Sequence, residues 1–140
     1  MIRTGLLLSR RVGAFEPILR LARLGLGGPL GSGRQWFPWI TLVDEVRAIV
    51  HLLDHPELAG PFNLAAPGEA RQKDVAAELG RGLSRPAILP APRFAIRVAI
   101  GEFADSALAS QRMHPVTLTA GGFTFEHADL ASGVSWLLEH

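Results

Sequence analysis

The chain contains no cysteine and no tyrosine, and Lys73 is its only lysine. The lack of cysteine excludes disulfide bonds, thiol nucleophiles and cysteine-based zinc sites. The lack of tyrosine excludes, within this chain, any mechanism in which a tyrosine acts as general acid beside a supporting lysine. The 140 residues by themselves therefore cannot carry out thiol chemistry or tyrosine-based acid catalysis.

The chain also lacks a strong charge of either sign and a long apolar run. Its 14 basic and 13 acidic residues give a net charge of +1, which gives no reason to expect nucleic acid as a partner. Arginines such as Arg20, Arg23 and Arg97 interrupt the best candidate membrane segments, and the amino terminus lacks the charge order of a secretory signal. We therefore expect a cytoplasmic globular protein, with a hydrophobic fraction of 48% that suffices for a core.

One segment, Gly25–Ile40, concentrates the unusual residues: a run of glycines, two of the three tryptophans and an arginine. We call it the glycine–tryptophan loop. Gly28 and Gly33 have the spacing of a P-loop, but Arg34-Gln35 stands where Lys-Ser/Thr is required, and no strand precedes the loop. No register supplies the glycines of a dinucleotide-binding turn either. This loop is therefore not a nucleotide cradle by itself.

The first 85 residues have the element order of an α/β fold. The apolar run Ile2–Leu8 is typical of a buried strand, and Pro61–Ala65 of a second short strand between turn residues. Gln35–Ile40 is expected to be extended, and Pro38 favours an edge or irregular strand. Helices are predicted over residues 14–26 and 72–83, with these apolar positions at helical spacing: Phe15, Ile18, Leu19, Leu21, Leu24, Val75, Leu79 and Leu83.

A third helix follows Thr41, which has the character of an N-cap with the acidic Asp44 three positions on. Pro56 ends this helix. Its apolar residues fall on a single face, as in an amphipathic helix: Val43, Val46, Ile49, Val50 and Leu53.

The character of the chain changes after Arg85-Pro86, where three prolines make a stiff connection. A helix is predicted over residues 94–109, followed by two extended segments or strands, Thr117–Thr119 and Phe123–Phe125, which meet at a turn. An amphipathic helix over His127–Glu139 ends the chain. We therefore divide the protein into residues 1–85 and a small, mainly helical tail module, residues 86–140.

The two parallel-type strands are too few for a stable sheet, because parallel sheets need several strands and helices on both faces. The pattern favours the second half of a doubly wound, Rossmann-like domain, without the strands against which Ile2–Leu8 would pair.

The motifs that make this interpretation specific come in a fixed succession. Arg3-Thr4-Gly5, the glycine–tryptophan loop, Asp44 and Gly60–Pro67 together resemble the carboxy-terminal half of an extended short-chain dehydrogenase/reductase, and more narrowly of the family of nucleoside-diphosphate-sugar epimerases. Segments of the tail resemble that family's small carboxy-terminal module of unknown function: 83–87, 101–102, 110–112, 115 and 122–125.

The resemblance implies NADP as the cofactor of the complete protein and a nucleotide-sugar or other small molecule as its substrate. It places Arg3, Thr4 and Gly5 where such enzymes bring backbone near the nicotinamide. Many extended relatives have an asparagine at the position of Leu6, so that substrate contact does not carry over. The glycine–tryptophan loop matches the segment that covers the substrate pocket, with these substrate-binding candidates: Arg34, Gln35, Trp36 and Trp39. No catalytic residue of the family falls within this chain.

Simpler interpretations of these residues stand beside the functional ones. Burial between the loop and the tail explains Trp36 and Trp39 as well as a pocket does. Arg34 is able to bind helix carbonyls or Asp44 rather than an anion. His51 and His55 have metal-ligand spacing on one helix, but without the glutamate of a metalloprotease motif we assign no metal site.

Two hypotheses of function follow. In the first, the chain is the substrate-side part of an NADP-dependent epimerase or reductase, catalytically incompetent alone and completed by a missing amino-terminal half. In the second, it is a stand-alone ligand-binding or oligomerisation module, which forms a homodimer through the sheet edge at Ile2–Leu8. Neither hypothesis involves nucleic acid or a membrane.

Overall fold

A computed structural model describes residues 2–10, 15–25, 28–29, 32–85 and 112–139 of the chain. The stiff proline-containing connection and the helix predicted over residues 94–109 lie outside the described residues. No helix in the described ranges is long and apolar enough to cross a membrane.

The strands form two short parallel pairs. Strand β1 (Ile2–Thr4) pairs with β4 (Phe62–Leu64), and β2 (Leu6–Leu8) pairs with β3 (Trp39–Thr41). The α/β class predicted from the sequence is thus confirmed. The continuous strand predicted over residues 2–8 is wrong in one respect, because it changes partner at its central glycine.

Gly5 is the residue at which the partner changes. Its N–H donates to the Leu64 carbonyl at 2.9 Å, whereas the next N–H, that of Leu6, donates to the Pro38 carbonyl at 2.7 Å. A Cβ atom at Gly5 would lie 3.1 Å from both the carbonyl carbon and oxygen of Pro38. The close approach of two backbones therefore explains the glycine at this point.

Helix α3 (Gln72–Leu83) packs against both α1 (Phe15–Arg23) and α5 (Leu130–Glu139), the last helix of the chain. Together with β2, β3 and neighbouring loop residues, their inward side chains form the main core: Leu8, Phe15, Leu19, Phe37, Trp39, Val75, Leu79, Val134 and Leu137. The predicted inward face of α3 is confirmed for Val75 and Leu79, while Leu24 at the end of α1 is exposed.

Helix α2 (Leu42–Asp54) begins as predicted, because Thr41 is its N-cap and accepts a hydrogen bond from the Asp44 N–H at 3.3 Å. Its buried residues, however, are Asp44 and Ala48. Most of the apolar face singled out in the sequence is turned to solvent. A sequence pattern identifies an apolar face but does not reveal whether the same chain covers it.

The segment before α5 is helical where a strand was expected. Residues Val116–Ala120 form helix α4, since Thr119 and Gly121 donate to carbonyls four residues back. Gly122 has φ of +93°, so the predicted turn is present. The Phe123–Phe125 segment has no strand partner among the described residues, and Phe123 instead packs in a second small core with Leu118.

A buried carboxylate fixes the tail to α2. Asp44 is fully buried, and its two oxygens accept hydrogen bonds at 2.9 Å from the backbone N–H groups of Glu126 and His127. Arg47 donates to the same carboxylate at 2.9 Å and to the Thr124 carbonyl at 2.9 Å. Asp44 therefore joins α2 to the loop that leads into α5, which we call the Asp44 clamp.

Candidate functional site

The end of the glycine–tryptophan loop lies on the amino terminus of α3. The first backbone N–H groups of that helix, at Gln72 and Lys73, donate to the carbonyls of Gln35 and Gly33, each at 2.9 Å. Gly33 has φ of +68°, a left-handed conformation that glycine adopts without steric cost. The helix thus satisfies its otherwise unpaired donors with the loop, and the loop gains a fixed position.

This position places Trp36 in a cluster of arginines. The guanidinium carbon of Arg71 lies 4.3 Å from the centroid of the Trp36 ring, and that of Arg112 lies 4.6 Å from it. Arg71 also donates to the Arg34 carbonyl at 2.6 Å. Cation–π contacts of this kind contribute about 0.5–1 kcal/mol each at exposed sites. They hold two guanidinium groups beside the loop.

Arg112 is oriented by a second partner from the loop before α3. Its Nε and Nη2 atoms each lie 2.9 Å from the Oε2 atom of Glu69, and the Nδ1 atom of His114 lies 2.9 Å from the other carboxylate oxygen. The contacts therefore join three parts of the chain: the glycine–tryptophan loop, the start of α3 with the residues before it, and the tail, to which Arg112 belongs. We call Arg34, Trp36, Glu69, Arg71 and Arg112 the Trp36 cluster.

The Trp36 cluster contains charges of both signs. Arg112 is paired with the Glu69 carboxylate, and the Asp74 carboxylate lies at the Arg71 N–H. Arg34 joins the cluster through its backbone carbonyl, and its side chain is exposed. The amino-terminal end of α3, with its partial positive charge, begins at the same place. Guanidinium groups that are fixed by aromatic and carbonyl contacts are suited to bind carboxylate or phosphate oxygens.

The four substrate-binding candidates separate in the structure. Arg34 and Trp36 belong to the Trp36 cluster, and Arg34 is exposed. Gln35 is buried, with its carbonyl bound to α3. Trp39 is 1% exposed in the main core, where its indole N–H donates to the Gly68 carbonyl at 2.8 Å. The structure therefore gives Trp39 the packing role rather than a surface for a ligand.

Three members of the Trp36 cluster, Glu69, Arg71 and Arg112, were not among the sequence candidates. One signal pointed to Arg71: it stands at the N-cap of α3, where an arginine is not a usual capping residue. The Asp74 side chain instead accepts from the Arg71 N–H at 3.0 Å, which leaves the arginine side chain available to the loop. Arg112 had no local signal, because its partners are distant in sequence.

The cofactor candidates lie along β1. Arg3 and Thr4 are exposed, the Thr4 hydroxyl donates to the Glu45 carboxylate of α2, and Gly5 is buried against Pro38. These three residues do not enclose a dinucleotide, and the chain has no dinucleotide-binding glycine motif.

A second concave region lies between α2 and the turn after α4. It is an open cleft of about 440 Å³ lined by Arg47, His51, His55, Phe123 and neighbouring residues. The two imidazole rings stack with centroids 4.3 Å apart, and each ring is bound to a backbone carbonyl. Within the described ranges no three histidine, aspartate or glutamate side chains converge as a metal site.

Comparison with known proteins gives consistent matches along the chain. Residues 91–137 match a family model described as a domain of unknown function, DUF1731. An epimerase family protein of Mycobacterium leprae is 38% identical over 137 residues, which make up 97% of this chain and 45% of that protein. The chain thus spans about half the length of the curated relatives that it matches.

Comparison with solved structures gives matches to the same kind of protein. The crystal structure of human epimerase family protein SDR39U1 with NADPH is 33% identical, with a TM-score of 0.90 over 99% of this chain and 48% of that chain. A nucleoside-diphosphate sugar epimerase from Corynebacterium glutamicum is 27% identical, with a TM-score of 0.69 over 98% of this chain and 25% of that one. The resemblance found in the sequence is confirmed: over nearly its whole length the chain is similar to about half of the epimerase family proteins, and together with the match to the domain of unknown function this supports a carboxy-terminal fragment of the epimerase/short-chain dehydrogenase/reductase family.

Proposed function

We propose that this chain is the substrate-side half of an NADP-dependent, epimerase- or reductase-like protein, and that it has no catalytic activity alone. The Trp36 cluster is the observation that carries the proposal. NADPH in the human relative and the nucleoside-diphosphate sugar named for the bacterial one support the choice of cofactor and substrate class. In this proposal the cluster binds the diphosphate of a nucleotide-sugar.

The cluster suits a diphosphate better than a neutral sugar. The guanidinium groups of Arg71 and Arg112, held against the Trp36 ring, favour a ligand with phosphate oxygens over an uncharged one. Arg34 is exposed and Arg112 is half exposed, so both are open to a ligand from the solvent side. Trp36 holds Arg71 and Arg112 in place in the absence of a ligand, which lowers the entropy lost on binding.

We expect uridine diphosphate to bind the chain and to change the fluorescence of Trp36. Replacement of Arg71 or Arg112 by glutamine should weaken binding about tenfold, because each removes one charge-assisted contact, and tenfold equals ~1.4 kcal/mol. The measurement is a calorimetric titration at low salt, with a fluorescence titration of the W36F variant to assign the optical signal.

Arg81 supplies the matched control. It also lies on α3, is exposed, and pairs with Glu78 at 2.7 Å, away from the Trp36 cluster. The R81Q variant loses the same charge and should bind uridine diphosphate as the wild type does. The anion site is refuted if the wild type shows no binding, or if R81Q loses as much affinity as R71Q.

The cofactor part of the proposal has its own test. In it, Arg3, Thr4 and Gly5 contact NADP only when an amino-terminal half supplies the glycine-rich turn and the catalytic tyrosine and lysine. When uridine diphosphate saturates the Trp36 cluster, the isolated chain should therefore show no binding of NADPH up to about 1 mM, a free energy weaker than about −4 kcal/mol. Cofactor fluorescence measures this directly. Tight binding of NADPH, or turnover of it by the chain alone, would overturn the assignment.

A further inference from the structure

Glu69 has a second partner besides Arg112, the imidazole of His114. The Nδ1 atom of His114 lies 2.9 Å from Oε1 of Glu69, while Arg112 occupies the other oxygen, Oε2, through its Nε and Nη2 atoms. The Asn63 side chain on β4 donates to the His114 carbonyl at 3.2 Å, which holds the backbone at this position. The carboxylate is thus shared between a permanent cation and a group whose charge depends on pH.

The contact between His114 and Glu69 decides which ring nitrogen gains or loses a proton. An ionised carboxylate only accepts hydrogen bonds, so Nδ1 of His114 carries a hydrogen whether the imidazole is neutral or charged. The proton that exchanges with the solvent is therefore the one on Nε2, and the side chain is 46% exposed. Protonation keeps the hydrogen bond to Glu69 in place and pairs two opposite charges across it, which makes it stronger.

The elements around His114 bring few other charges to it in the described part of the chain. Helix α4, which follows it, and strand β4, which contacts it through Asn63, contain no charged residue. Arg3 stands opposite Asn63 in the register of β1 with β4, and its side chain is exposed. Glu69 is thus the carboxylate that pairs with His114, and Arg112 is the cation that shares this carboxylate.

We propose that His114 is a proton-dependent positioning residue for the diphosphate at the Trp36 cluster, an inference that rests on the proposed function. With His114 neutral, Arg112 alone compensates the charge of Glu69, and the carboxylate repels an incoming phosphate. With His114 protonated, the imidazolium compensates Glu69, and the guanidinium charge of Arg112 is left for the ligand. Of the five N–H groups of a guanidinium, Arg112 uses two on Glu69, so the remaining ones are able to bind phosphate oxygens while the arginine stays on Trp36.

The probe is uridine diphosphate glucose, whose two phosphates each form an ester with a sugar and therefore carry a constant charge near neutral pH. Calorimetric titration at low salt should give about threefold tighter binding at about pH 6 than at about pH 8, the size of effect expected for one exposed charge. The H114Q variant retains a hydrogen-bond donor for Glu69 but no charge. Its affinity should be the same at both pH values and equal to that of the wild type at the higher one. Circular dichroism verifies that it folds, as expected for a half-exposed side chain.

His55 supplies the matched control, because it lines the open cleft between α2 and the turn after α4 and is not part of the Trp36 cluster. The affinity of H55Q should change with pH as that of the wild type does. The inference is refuted if the wild-type affinity does not change with pH, if H114Q retains the change, or if H55Q loses it. In each of these cases binding at the higher pH still supports the proposed function, whereas absence of binding at both pH values refutes the two together.

Discussion

Replacing Asp44 by alanine is expected to lower the free energy of unfolding by about 3 kcal/mol, because it leaves buried partners without an acceptor. The backbone N–H groups of Glu126 and His127 would both lose their hydrogen bonds, and Arg47 would lose its partner within α2. Urea unfolding followed by circular dichroism gives this difference. The free energy of unfolding of the D44N variant should lie between those of the wild type and D44A, because the asparagine amide retains one acceptor oxygen.

Asp54 is the matched control for this prediction. It is an aspartate of the same helix, but it is exposed and near the carboxy-terminal end. The D54A variant should change the stability by less than about 0.5 kcal/mol, as surface substitutions generally do. If D44A unfolds at the same urea concentration as D54A, the clamp does not stabilise the fold.

The second large effect is expected at Gly133, in the middle of α5. A Cβ atom there would lie 2.5 Å from the Trp39 ring, which its hydrogen bond to Gly68 holds in place. The G133A variant should therefore lose about 2 kcal/mol of stability, the usual cost of overpacking in a core. Thermal unfolding by calorimetry measures it, and a lowered melting temperature is the expected result.

Gly82 is the comparison for Gly133, since it also lies inside a helix. A Cβ atom at Gly82 would lie 2.4 Å from a methyl group of Leu138, the far end of a half-buried, flexible side chain. That methyl group is able to move, and alanine has a higher helix propensity than glycine by about 1 kcal/mol. The G82A variant should therefore be close to neutral. Equal losses in G82A and G133A would show that contact with Trp39 is not the cause.

Local sequence patterns predicted both the position and the buried face of a helix when that face packs against other parts of the same chain. The Thr41 cap, the inward face of α3 and the closing helix were all evident from spacing and capping residues. The orientation of α2 was not, because its most apolar face is open and its buried face contains an aspartate and an alanine. The spacing of apolar residues indicates which face of a helix is apolar, but whether that face is buried depends on which other parts of the protein pack against it.

The candidate site was predictable only in part for a similar reason. Trp36 and Arg34 were evident within one loop, but Arg71 and Arg112 reach that loop from distant segments of the chain. The short helix α4 was missed because its β-branched residues Val116, Thr117 and Thr119 favour a strand locally. Tertiary contacts through Leu118, which is fully buried, outweigh that preference.

The Asp44 clamp has a consequence for sequence variation in the tail. The two groups that it binds at positions 126 and 127 are backbone N–H groups, which every residue except proline possesses. The Asp44 side chain on α2 thus fixes the path of this loop through groups that do not depend on which side chains the loop carries at these two positions. Substitution at position 126 or 127 by any residue except proline therefore leaves these two hydrogen-bond donors in place, although Glu126 also pairs with Arg47 and His127 also packs against Trp136.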